Sequence, residues 1–274
     1  MQITFGSLFA GIGGFDLGFE RAGMTCRWQV EIDDYATRVL AKQWPNVHRE
    51  RDIRKCGAHN LQPVDVICGG FPCQDISYAG LGAGLDGERS GLFFEAIRVV
   101  QQLRPRVVVL ENVAALLTRG LDRVLGTLAS IGYDAEWHCI PAAAFGAPHI
   151  RDRVFVLGYA DSDRWYAGKQ TSKAARHWCP AVSASRDAAS MAHADCDQQQ
   201  WRRGDVQMGR QWLTREAQNN GYKRRTQWAT EPDVGRVADG VPARVDRLRG
   251  LGNAVVPQVA EWIGLQIVQQ LRDN

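Results

Sequence analysis

Cys73, Glu111, Arg151 and Arg153 are the residues of this chain whose types and settings could do chemistry together. Cys73 follows Gly69-Gly70-Phe71-Pro72, just after the apolar run Asp65-Val66-Ile67-Cys68. Open α/β sheets gather ligands and reacting groups outside the carboxyl ends of their strands, and a cysteine there is well placed. A thiol becomes a nucleophile as its thiolate, which a helix N-terminus or a nearby cation favours. Most cysteines are small buried hydrophobes, and Cys26, Cys68 and Cys139 read that way. Pro72 and the two glycines set Cys73 apart, in an exposed and shaped loop. Four glycines between Gly80 and Gly87 then mark a lid segment. Glu111-Asn112-Val113 ends the next strand and puts a carboxyl group on the same rim. If buried, that carboxyl can give a proton to a ring heteroatom and assist addition across the ring. The bland alternative is a helix start capped by Asn112. Arg151 and Arg153 stand two apart before an apolar strand. Alternation sends both to one face, where they can hold an anion or a carbonyl oxygen.

A second constellation precedes these. Phe9-Ala10-Gly11-Ile12-Gly13-Gly14 lies between a strand and the helix Phe15 to Arg21. Glycines there let the backbone approach a bound nucleotide, and a carboxylate after the second strand can take ribose hydroxyls. Glu31, following Trp28-Gln29-Val30, has that position. Asp52-Ile53 falls where a third strand should end and can accept from an adenine amino group. A plain tight turn remains the alternative. The full GxGxxG fingerprint is missing, which disfavours NAD or FAD.

The elements that must hold these residues read as α/β. Gln2 to Phe5 and Ser7 to Phe9, Asp65 to Cys68, Arg106 to Leu110 and Val154 to Leu157 are short apolar strands. Leu92 to Leu103 and Leu116 to Ile131 are crossover helices. Near-continuous apolar strands spaced by helices predict a parallel sheet covered on both faces. From residue 160 to 248 the periodicity fades. Residues 160–250 hold 16 basic and 11 acidic residues, with five of the nine tryptophans: Trp165, Trp178, Trp201, Trp212 and Trp228. Basic residues interleaved with aromatics fit nucleic-acid contact, and equally the small core of a loop-rich lobe. Leu248 to Leu271 opens on glycines and Pro257, then repeats Val259, Ile263, Ile267 and Leu271 as a docked amphipathic helix requires.

Composition bounds the rest. The chain has 274 residues and a net charge of +3, which excludes a uniformly basic nucleic-acid coat. No run nears the roughly 18 apolar residues of a membrane span. The first residues lack a basic n-region and a cleavage site. Seven cysteines without a CxxC pair indicate neither a disulfide framework nor a metal knuckle. A reducing cytoplasm is the expected compartment.

Taken together, FAGIGG at 9–14, GGFPCQ at 69–74, ENV at 111–113, RDR at 151–153 and GNAVVP at 252–257 resemble the C5-cytosine DNA methyltransferase family. The likeness covers about 185 residues, everything outside the middle block, in the family's linear order. It implies a Rossmann-like α/β methyltransferase sheet with helices on both faces, plus a small loop-rich target-recognition lobe. The implied division is a catalytic domain binding S-adenosylmethionine at 1–159, recognition at 160–248, and a segment at 249–274 that returns to the catalytic domain. Phe9, Gly11, Ile12 and Gly13 match the cofactor loop, Glu31 the ribose carboxylate and Ile32 the residue on the adenine. Asp52 and Ile53 match the adenine-reading pair. Pro72, Leu92, Asn253 and Val255 match further cofactor contacts. Cys73 matches the nucleophile, Glu111 the acid at cytosine N3, and Arg151 and Arg153 the arginines near the cysteine loop and cytosine O2. Gln74 and Ser77 are carried over as contacts to DNA. Arg202, Arg203, Arg210, Arg215, Lys223, Arg224 and Arg225 are candidate DNA contacts in the recognition block. The resemblance further implies duplex DNA as substrate, flipping of the target base, a monomer, no metal, and a functional pairing with a restriction endonuclease or a phage-borne protective role. One departure stands out: His149 occupies a position where the family usually has Gln. A tRNA-directed relative and a non-catalytic DNA-binding relative are the competing readings.

Overall fold

Consecutive valines and isoleucines favour strands buried on both faces, and the middle of the sheet is made of them. The computed structural model describes residues 2–72, 91–147, 149–160 and 244–273. Among these, seven strands form one sheet: β1 Thr4–Leu8, β2 Thr25–Val30, β3 His48–Glu50, β4 Val66–Gly70, β5 Val107–Val113, β6 Tyr133–Pro141 and β7 Asp152–Ala160. Their order is β3-β2-β1-β4-β5-β7-β6. The pairs from β3 to β5 are parallel, while β7 runs antiparallel to both β5 and β6. The expected α/β sheet is therefore present, with an antiparallel strand at one side.

Side-chain alternation divides β5 between two cores. Val107 and Val109 join Phe5, Phe155 and Cys68 on one face, and Val108 and Leu110 join Leu8, Ile67 and Val156 on the other. Helices α1 (Gly14–Arg21) and α6 (Pro257–Arg272) cover the first face. Helices α3 (Gly91–Leu103) and α4 (Leu121–Ser130) cover the second. Helix α2 (Asp34–Gln43) follows β2, and α5 (Arg244–Asn253) precedes α6.

The C-terminal helix docks on the N-terminal one through small residues. A Cβ at Gly18 of α1 would lie 2.5 Å from Ala260 Cβ, and one at Gly264 of α6 would lie 2.8 Å from Ala22 Cβ. The four-residue apolar stripe of α6 lies in the core that it shares with α1.

Four local readings change. The helix expected over Leu116 to Ile131 is broken: Ala114–Thr118 is a 3-10 turn, and α4 starts after Gly120, whose φ is 129. That backbone angle suits glycine and ends the first helical segment. Strand β6 is absent from the sequence reading because Tyr133–Pro141 alternates too weakly; its pairing with β7 makes it a strand. Gly250 and Gly252 lie inside α5 rather than in an irregular lead-in. Cys139, read as buried, is only half-buried.

Candidate active site

The carboxyl ends of β1, β2, β4 and β5 open onto one cavity of about 590 Å³. Its wall on the β1 side is the glycine turn. Gly11 and Gly13 hold φ values of 57 and 89, and Phe9 itself sits at φ 51, a conformation rare for a side chain of that size. This places Phe9, Gly11 and Ile12 along the cavity. Glu31, just past β2, is fixed at both oxygens: Gly11 N donates to Oε2 at 2.7 Å and Asp33 N donates to Oε1 at 2.8 Å. Ile32 beside it leaves 62% of its surface exposed, a large apolar face open to the cavity. Asp52 caps the 3-10 turn Ile53–Lys55, accepting from Arg54 N at 3.1 Å. Its carboxylate also takes Arg54 Nε at 2.9 Å, and these bonds hold it below the usual carboxylate range. Arg98 of α3 fixes that turn from behind, donating to Ile53 O at 2.9 Å and Cys56 O at 2.8 Å.

Glu111 lines the same cavity, as do Pro72 and Asn112. Burial pushes its carboxyl up to about 7, against the opposing pull of Arg153 and Arg151. Arg153 Nε lies 3.0 Å from Glu111 Oε1. Desolvation wins because the ion pair offsets only part of the cost of removing a carboxylate from water. Gly70 makes room for the group, since a Cβ there would lie 2.7 Å from Glu111 Oε2. Asn112 does not cap a helix. Its amide donates to Phe71 O at 3.2 Å and ties β5 to the residues that follow β4.

The structure gathers Phe9, Gly11, Ile12, Glu31, Ile32, Asp52, Ile53, Pro72, Leu92 and Asn253 around one cavity with Glu111 and Arg153. Three expected residues stand elsewhere. Gly13 supports the turn from behind, where a Cβ would meet the Trp44 ring at 2.5 Å. Val255 is buried in the core of α1 and α6, with its carbonyl 2.2 Å from where a Cβ on Gly14 would sit. Arg151 is outside the lining of this cavity, although it lines a small pocket together with Arg153 and its charge still pulls on Glu111. It holds a φ of 44, and Nη2 donates to Gly252 O and Ala254 O, both at 2.7 Å. Cys73, Gln74, Ser77, Arg202, Arg203, Arg210, Arg215, Lys223, Arg224 and Arg225 lie outside the described residues, as do the 78–87 segment and nearly all of the 160–248 block. His149 is exposed.

Burial raises the thiols of Cys26 and Cys68 well above their ordinary value, and that of Cys56 to about 11. These three are poor thiolates. The sequence reading missed Asp33, Arg51, Arg54 and Arg249 as cavity residues. Asp33 had a signal, as an acidic residue just ahead of a helix, where its Oδ1 accepts from Ala36 N at 2.9 Å. Arg249 had none, because its cavity partner is 216 residues away.

A sequence profile for the C-5 cytosine-specific DNA methylase family matches residues 3–231. The chain belongs to that family. Curated relatives of the chain include the Type II methyltransferase M.DsaV of Dactylococcopsis salina, 34% identical over 166 residues. That match covers 59% of this chain and 47% of the relative. The Type II methyltransferase M2.BsuMI of Bacillus subtilis (strain 168) is 36% identical over 159 residues, covering 55% of this chain and 40% of the relative. The chain thus spans less than half the length of either. The solved Entamoeba histolytica methyltransferase EhMeth shares its fold, with TM-score 0.50, 17% identity, and coverage of 59% of this chain and 54% of that one. Among the described residues, no helix is long and apolar enough to cross a membrane.

Proposed function

We propose that this chain transfers a methyl group from S-adenosylmethionine to C5 of a cytosine flipped out of duplex DNA. The observation that carries the reading is Glu111: a buried carboxyl, raised to about 7, in one cavity with Glu31, Ile32 and Asp52. The residues present fit an adenosyl group. Glu31 has the position for ribose hydroxyls, Ile32 offers its open apolar face to a purine, and Asp52 accepts from an exocyclic amine. A cavity of about 590 Å³ is of the size that holds such a ligand. When bound, S-adenosylmethionine supplies an electrophilic methyl group.

Cytosine C5 is a poor nucleophile until C6 carries an added group. The Cys73 thiolate forms a bond to C6, the ring electrons move to N3, and Glu111 gives N3 its proton. A carboxyl titrating near 7 is matched to that transfer at neutral pH. Arg153 holds cytosine O2 and keeps Glu111 oriented. After methylation a base takes the C5 proton, its electrons re-form the C5–C6 double bond, the C6–S pair leaves with Cys73 as thiolate, and N3 returns its proton to Glu111. Arg151 acts one step back, by fixing the Gly252–Ala254 backbone beside the cavity. None of this fits inside a stacked duplex, so the base must leave it.

Relatives that are Type II methyltransferases support a modification role alongside a cognate endonuclease. The 160–248 block serves as the recognition lobe, and the chain works as a cytoplasmic monomer. The test is covalent trapping on mixed-sequence duplexes containing 5-fluorocytosine, with S-adenosylmethionine present. A shifted band on a denaturing gel that needs both cofactor and Cys73, and that Cys73→Ser abolishes, is the expected result. No band on DNA but a band on tRNA moves the substrate to RNA. No band on either overturns the catalytic reading.

A further inference from the structure

We propose that Arg249 and Asp33 form a latch that sets how long an adenosyl ligand stays in the cavity. This inference rests on the reading above. Arg249 Nη2 of α5 lies 2.5 Å from Asp33 Oδ2, and both residues line the cavity. Asp33 has two other commitments: Oδ1 accepts from Ala36 N to cap α2, and its own N–H holds Glu31 Oε1. Glu31 in turn accepts from Gly11 N. The pair therefore joins α5 to the ribose carboxylate and the glycine turn in one connected run. Gly250, next along α5, sits close to the turn, since a Cβ there would lie 3.1 Å from Ile12 Cγ2.

Three features make the joint one that opens. The pair is exposed, with 55% and 34% of the two side chains accessible, so water and salt compete for it. Arg249 also has a second acid on its own helix, Asp246 Oδ1 at 3.6 Å, which keeps the guanidinium partnered when Asp33 lets go. The far end of α5 stays tethered meanwhile, because Arg151 holds Gly252 O and Ala254 O. Opening the latch thus frees the cavity mouth without releasing the C-terminal helix. Arg249 is a positioning residue in this account and touches no reacting atom.

The test measures binding and release of S-adenosylmethionine and S-adenosylhomocysteine by stopped-flow fluorescence on the full chain. It compares wild type, Arg249→Met, Asp33→Asn and the double variant. Asn keeps the helix cap, and Met keeps the aliphatic stem. Each single variant should release ligand roughly threefold to fivefold faster, the range expected for an exposed ion pair. The double variant should be no faster than either single, and 1 M salt should bring wild type to the variants' rate. Wild-type release rates in the variants, or multiplied effects in the double variant, overturn the latch. A lowered melting temperature of ligand-free protein with unchanged release shows a purely structural pair and also overturns it. A wild-type chain that binds neither ligand overturns the cofactor reading itself, which separates the two failures.

Discussion

At the scale of single residues, Glu111 is decided by a contest between burial and a neighbouring guanidinium. Its folded-state value of about 7 exceeds the ordinary 4.5. A carboxyl raised on folding contributes its full stability below the unfolded value and loses it as pH rises through the folded one. The stability of wild type relative to Glu111→Gln should therefore fall between pH 4.5 and 7 and level off above. The total change is about 3 kcal/mol, at roughly 1.4 kcal/mol per pH unit. Chemical denaturation of both proteins from pH 4 to 8.5 measures it, and a flat difference across that range contradicts the burial of this group. If Glu111 acts as proposed, the same variant should lose methyl transfer by about 10²- to 10⁴-fold, because an amide cannot give N3 a proton. The presence of a carboxyl on this rim was legible in the sequence, since it ends an apolar strand. Its titration was not, because desolvation depends on what packs around it from β4 and β7.

Among the elements, α6 matters most to the glycine turn although it lines none of the cavity. Val259, Ile263, Ile267 and Leu271 face α1 and the sheet, and Ile263 is fully buried. The glycine turn ends in α1, so a loosened α6 also loosens the turn. Ile263→Ala should lower global stability by about 2–5 kcal/mol, as a buried aliphatic truncation with incomplete collapse does. Urea unfolding checks this, and a loss near zero would place α6 outside the cooperative core. The helix and its apolar stripe could be read from a four-residue repeat alone. That it packs on α1 through Gly18 and Gly264 could not, because close approach becomes visible only when two helices are side by side. The break at Gly120 was missed for a related reason. Helical periodicity continues on both sides of it, and only the backbone angle reveals the interruption.

For the molecule as a whole, a second buried carboxyl adds to the pH response. Asp16 of α1 is fully buried, accepts from Gln29 Nε2 at 2.8 Å and Ser7 Oγ at 3.1 Å, and is raised by burial from 3.8 to about 6. Like Glu111, it stabilises the fold below its unfolded value, and this contribution fades as pH rises through about 6. The protein should therefore melt at a higher temperature near pH 5 than near pH 8. The variant Asp16→Asn combined with Glu111→Gln should flatten that profile. Calorimetry across the range tests it, and an unchanged slope in the double variant would show that other groups dominate.

What the amino-acid sequence determined by itself is what neighbouring residues decide. Apolar runs bounded by glycine and proline fixed most of the strands. The glycine turn, Glu31 and Asp52 followed from their offsets along the chain, because backbone preference and alternation act over a few residues. Tertiary structure alone decided the rest. Arg151 and Arg153, two apart, both act on Glu111, yet Arg151 also donates to Gly252 O and Ala254 O about a hundred residues on while Arg153 pairs with Glu111 directly. Strand β6 exists because β7 offers it a ladder. Arg249 meets Asp33 across 216 residues because the chain closes its sheet and returns along α5 and α6. Pairings of that length, and the burial that retunes Glu111, arise only once the chain has folded back on itself.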